Sequence, residues 1–235
     1  MGTEGYLCGV DNLLNNPVFT ALATRDAALG TGTNEVKRFD EAVSPFIGIR
    51  EGCTDGFAQL HRELPPGRAI LHATTGRMAT PEGWRLQVEV PGLQFVFRGA
   101  AHSDPPGAAP LPLLPEHVPQ MMALAALTKP GPFGPRTIEF GHYYGIFDGA
   151  RLVAMTGQRL HLPGYSEVSA VCTHPDHLGK GYAAALLQQQ LRIICAAGET
   201  PFLHVRADNA RAIALYERLG FAVRGPMNFY FLKRI

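Results

Sequence analysis

Residues 174–186, "HPDHLGKGYAAAL", join a polar turn, two glycines flanking Lys180 and a run of small residues. Such a stretch can seat a phosphate, because the first N–H groups of a helix lack internal partners and carry partial positive charge. Three phosphate-binding chemistries fit it unequally. A nucleoside-triphosphate loop needs G-x-x-x-x-G-K-[ST], whereas Lys180 lies between Gly179 and Gly181 and no Ser or Thr follows. A dinucleotide loop matches loosely as Gly179-x-Gly181-x-x-Ala184. Against it, the turn His174–Leu178 separates the glycines from the strand before them, and the acidic residue about 20 positions on, Glu199, precedes the next strand rather than ending it. The third fits best: a pyrophosphate resting on the amides from Gly179 to Ala183, approached closely because glycine has no side chain.

Several elements must position that seat. "SEVSAVCTH" reads as the strand before it, and "GYAAALLQQQLRIICAAG" as the helix after it, with Gly198 at its C-cap. "TPFLHVRA" is the next strand. "NARAIALYERLG" is a helix with Asn209 as N-cap and Gly220 as C-cap, and "FAVRGPMNFYFLKRI" closes with one or two strands. Upstream, "YYGIFDGARLVAMTGQRLHLPG" predicts a hairpin turning at Asp148-Gly149, and "EHVPQMMALAALTKPG" a helix stopped by Pro130-Gly131. The five prolines of residues 101–117 predict a linker ending near Pro112. Before it lies a smaller α/β unit: helices at "PVFTALATRDAAL" and "DGFAQLHREL", and strands at "SPFIGIRE", "RAILHAT", "WRLQVEV" and "LQFVFRG". In "WRLQVEV", Trp84, Leu86, Val88 and Val90 alternate with polar residues, the mark of a half-buried strand. The expectation is an α/β (mixed α+β) chain with an N-terminal domain at 1–105 and a second domain at 113–235.

Thr173-His174-Pro175-Asp176-His177-Leu178-Gly179-Lys180-Gly181-Tyr182-Ala183, followed by Asn209, Ala212, Leu215, Tyr216, Gly220 and Phe221, resembles the paired signature of the GNAT superfamily of acyl-CoA-dependent N-acyltransferases. That signature runs V-x-P-x-x-[RQ]-G-x-G-x-[GA], then N-x-x-A-x-x-L-Y-x-x-x-G-F. The resemblance covers residues from about 113 to 235, and its phrasing looks most like the glycine N-acyltransferase branch, whose N-terminal half can be a degenerate GNAT-like unit. It implies a mixed sheet whose fourth and fifth strands splay to admit pantetheine. It further implies acetyl transfer from acetyl-CoA to a primary amine of a small molecule or peptide, by direct attack in a ternary complex. The backbone at Val171, Cys172 and Thr173 would bond pantetheine as an added strand does. Leu178, Gly179, Lys180, Gly181, Tyr182 and Ala183 would hold the pyrophosphate, and Asn209 the coenzyme arm. Tyr216 would protonate the sulfur. Glu167 would sit at the cleft mouth as a base acting through water. Each has a plainer reading beside it: Tyr216 as a core aromatic, Glu167 as a solvated strand end, Asn209 as a cap alone. Leu178 stands where the family carries Arg or Gln. Acceptor-lining candidates are Glu139, His142 and Tyr143, with Arg159 and His161 beyond the hairpin.

Bulk composition fits this frame. With 46% apolar and 17% charged residues, the 235-residue chain can bury a large core. Its net charge of +1 supplies no overall basic footprint for nucleic acid. Cys8, Cys53, Cys172 and Cys195 form no CxxC pair, and the nine histidines have no metal-ligand spacing, so no metal is expected. Nothing resembles a signal peptide or a membrane span, which predicts a cytoplasmic protein without a membrane partner. A homodimer is compatible with the sequence. The alternative to an enzyme is an acyl-CoA-binding protein without catalysis.

Overall fold

A computed structural model describes residues 11–99 and 109–235. Eleven strands form a single sheet in the order β1-β2-β3-β4-β11-β5-β10-β9-β8-β7-β6. The N-terminal strands are β1 (Gly30–Gly32), β2 (Val36–Phe39), β3 (Phe46–Ile49), β4 (Ala69–Thr74) and β5 (Trp84–Phe97). The others are β6 (Leu111–Pro112), β7 (Tyr144–Asp148), β8 (Arg151–Leu162), β9 (Tyr165–Thr173), β10 (Thr200–Arg206) and β11 (Phe221–Arg234). The helices are α1 (Pro17–Ala23), α2 (Gly56–Glu63), α3 (Val118–Thr128), α4 (Tyr182–Ala196) and α5 (Ala210–Arg218).

The strand order has internal symmetry. β3 and β4 are a parallel pair joined through α2, and β9 and β10 are a parallel pair joined through α4. Between the two units lie β11 and β5, antiparallel to each other along nearly their whole length. Each has crossed over. β5 pairs with β10, and β11 pairs with β4. The two halves of the chain thus complete each other's sheet.

Side-chain alternation along β10 explains the layering. Leu203 and Val205 join Leu187 and Leu191 of α4 and Tyr216 of α5 in one core. Phe202 faces the other way, into a core shared with Val18 and Leu22 of α1 and Met121 and Leu124 of α3. That second core mixes Phe39, Phe46 and Leu71 of the first half with Met155, Leu160 and Cys172 of the second.

Several expectations change here. "WRLQVEV" and "LQFVFRG" are one strand, because pairing to β11 continues through Pro91-Gly92. The alternation also lapses: Trp84 is buried, but Leu86 and Val88 are 38% and 46% exposed. The first helix stops at Ala23, and β1 and β2 appear where no strand was expected. β6 pairs with β7 inside the expected linker, most of which, like Cys8, lies outside the described residues.

Candidate active site

β9 and β10 pair only from Tyr165 to Glu167 and from Thr200 to Phe202. Beyond that they part, while β9 stays bonded to β8. A bulge accompanies the divergence. Met155 faces Cys172 and Gly157 faces Ser169, so Thr156 is opposed by two residues, one of them Ala170 at φ 53°. A bulge bends and twists its strand, and a non-glycine residue at positive φ is uncommon. The gap is a cavity of about 670 Å³, within the range of small-molecule sites.

One wall of the cavity is the backbone of β9 from Val168 to Thr173. Thr173 Oγ1 there is buried without a hydrogen-bond partner. The mouth is formed by Leu178, Gly179, Gly181, Tyr182 and Ala183 on one side and by α5 on the other. Gly179 and Gly181 have φ of 80° and 78°, with open space where a Cβ would stand. Glycine is required there by backbone conformation, not by crowding. α4 has no side-chain cap, and its first bond runs from Ala185 N–H to Gly181 C=O. The amides just before that bond therefore have no helical partner and belong to residues that line the cavity, as an anion seat requires. By contrast, α5 is capped by Asn209, whose side chain accepts from Ala212 N–H at 3.1 Å. Lys129, Arg206, Arg211 and Arg218 border the same cavity, although Arg206 is held by Asp208. An uncapped helix start, an orphaned hydroxyl, a freed strand edge and a cationic rim together fit a long, phosphate-bearing thioester such as acetyl-CoA.

Every residue expected at the coenzyme borders this cavity except Lys180, which turns towards His177, Nζ to Nδ1 being 3.3 Å. Leu178 is 47% exposed on the rim. Tyr216 is buried on the cavity wall against Phe95 and Phe221, and burial pushes its hydroxyl up to about 12. Cys172 also lines the cavity, but burial raises its thiol to about 11, which removes it as a ready nucleophile.

Glu167 requires a correction. Expected at the cleft mouth, it lies completely buried at the cavity floor. Arg159 donates to both its oxygens, at 2.9 and 2.7 Å, and His204 Nδ1 lies 2.8 Å from Oε1. Burial alone would raise its pKa, but the charge of Arg159 and the hydrogen bonds from Arg159 and His204 lower it to about 2. A group held that low is a poor proton acceptor.

The expected acceptor residues lie elsewhere. Glu139 is exposed and paired with Arg136, and His142 is exposed. Tyr143 is buried against Phe133 and fills the space that the absent side chain of Gly157 leaves. His161 is buried with Asp26, Nδ1 at 2.8 Å from its carboxylate. None of the four borders the cavity, whereas Arg159 does. His204 was missed by the sequence reading, although "FLHV" marked it as a lone polar ring in an apolar strand.

Comparison with known proteins now decides the family. The crystal structure of a putative GNAT-family acetyltransferase from Novosphingobium aromaticivorans superposes with a TM-score of 0.87. It is 36% identical, over 94% of this chain and 98% of that one. The chain belongs to the GNAT family. Residues 143–231 match the family described as FR47-like protein. Among curated proteins, mycothiol acetyltransferase of Mycobacteroides abscessus is 36% identical over 39% of this chain. N-alpha-acetyltransferase RimI of Mycobacterium tuberculosis is 36% identical over 38%. The matches span only 31% and 58% of those two relatives' lengths. Among the described residues of this GNAT protein, no helix is long and apolar enough to cross a membrane.

Proposed function

We propose that this protein transfers an acetyl group from acetyl-CoA to a primary amine of a small molecule or peptide, directly and without an acyl-enzyme. The cleft between β9 and β10, with an uncapped helix start at its mouth, carries this reading. Residues 1–105 are on the same reading a GNAT-like half, whose β3–α2–β4 unit mirrors β9–α4–β10.

Acetyl-CoA supplies an activated carbonyl and a thiolate leaving group. The chain seats the pyrophosphate on the amides of Gly179–Ala183 and aligns pantetheine along Val171–Thr173. Arg211 and Arg218 stand ready for the remaining phosphate charge. At the floor, Glu167 orients His204 rather than taking a proton itself. His204 Nε2 accepts the proton of the attacking amine. The C–N bond forms, the C–S bond breaks, and sulfur keeps the electron pair. Tyr216, neutral because burial holds its proton, donates that proton to the sulfur.

Free-thiol release from acetyl-CoA, measured over a panel of amines, tests the proposal. Tyr216→Phe and His204→Asn should each lower kcat about 100-fold with little change in the KM of acetyl-CoA. Tight coenzyme binding with no turnover on any amine would favour the non-catalytic acyl-CoA-binding alternative.

A further inference from the structure

Gln94 is a polar side chain 1% exposed near the middle of the sheet, on β5, the strand that the first half lends to the second. Its Nε2 donates to Leu14 O at 3.0 Å and lies 2.9 Å from His204 Nε2. Its Oε1 accepts from Arg224 Nη1 at 2.9 Å, while Arg224 Nη2 donates to Asn15 Oδ1 at 2.7 Å. Reversing the amide would set its oxygen against the Leu14 carbonyl and its NH₂ against a guanidinium. Both contacts are repulsive, so the orientation is fixed from both ends.

This orientation decides where the His204 proton resides. Nδ1 faces the ionised Glu167 and must carry a hydrogen to donate. Nε2 faces a fixed N–H donor and must be the bare nitrogen. The charged groups around the ring agree. Glu167 approaches from β9 with Arg159 of β8 behind it, and Arg224 of β11 stands behind Gln94. Phe202 and Phe229 pack edge-on to the ring at 5.7 and 5.4 Å.

We infer that Gln94 is a positioning residue, which fixes His204 in the Nδ1–H form and keeps Nε2 occupied by a donor at the point where the acceptor amine's N–H will bind. The amide already holds Leu14 O, so it can release Nε2 to the incoming amine without losing every partner. Gln94 forms and breaks no covalent bond. The inference rests on the catalytic reading of His204, and the first half of the chain acquires through it a direct part in the chemistry.

Imidazole ¹⁵N NMR on the full chain tests it, with the His204 signals assigned by their loss in His204→Asn. In the unmodified protein Nδ1 should resonate as N–H and Nε2 as a bare nitrogen, a measurement that needs no folded Gln94 variant. Gln94→Glu presents a carboxylate to the ring, so the Nε2 signal should move to that of N–H. Its kcat should fall about 100-fold, with the KM of acetyl-CoA changed less than about two-fold. Gln94→Met removes the donor at similar volume: Nδ1 should stay N–H against Glu167 while the Nε2 signal shifts as it loses its hydrogen-bond donor, and an Nε2 signal left unmoved would count against the inference. A protonated Nε2 in the unmodified protein, or nitrogen signals unmoved by Gln94→Glu, would overturn the inference. Signals that behave as expected beside a fully active His204→Asn would instead overturn the catalytic reading and leave the assignment of the ring form standing.

Discussion

A carboxylate cut off from water stays ionised only beside a cation and hydrogen-bond donors, and Glu167 has the Arg159 guanidinium on one side and His204 Nδ1 on the other. Its depressed pKa fixes a sign. Stability from this group is complete above its ordinary value of 4.5 and is lost as pH falls towards about 2. Thermal melts between pH 7 and pH 2 should therefore show a drop below about pH 4.5 to which Glu167 contributes, and Glu167→Gln should weaken it. At neutral pH the same variant leaves Arg159 buried beside a neutral amide, and should cost about 3–5 kcal/mol in denaturant unfolding. The pairing was partly legible. A hairpin closing at Pro163-Gly164 brings Arg159 opposite Glu167, but the register reaches them only through an irregularity between Arg159 and His161. Spacing alone cannot reveal that irregularity, so Glu167 reads in sequence as an exposed strand end.

The proposed anion seat belongs to an element rather than to a side chain. Two left-handed glycines and an uncapped α4 present amides, and Leu178 contributes only a rim. Leu178→Arg should lower the KM of acetyl-CoA by at most about five-fold with kcat unchanged, the scale of an exposed ion pair near ~1 kcal/mol. Steady-state kinetics at low and moderate salt would check this, and the gain should shrink as salt rises. Elements with strong punctuation were the legible ones: α4 between Gly181 and Gly198, α5 between Asn209 and Gly220, and the turn at Asp148-Gly149. β5 was read as two strands because Pro91-Gly92 looks like a break. Only its long partner β11, distant in sequence, carries it through. β1 and β2 are three and four residues long, too short for periodicity to show.

At the scale of the molecule, the two parallel units have unequal sites. The start of α2 lies beside Glu35, Cys53 and Asp55, with the thiol 3.4 Å from the Asp55 carboxylate. Two carboxylates there would repel the phosphates that the start of α4 is proposed to seat. Titration calorimetry should accordingly give one coenzyme A per chain, and two sites of similar affinity would contradict this account. The exchange of β5 and β11 also bears on how the chain is made. Synthesis delivers β4 and β5 well before β11, the strand that separates them. Until Phe221–Arg234 arrives, two nascent edges stay open to strands of other molecules. A chain stopped at Gly220 should therefore accumulate as insoluble aggregate, and light scattering during cell-free translation would register it. On this account β11 shields the edges of β4 and β5 from the molecule's neighbours.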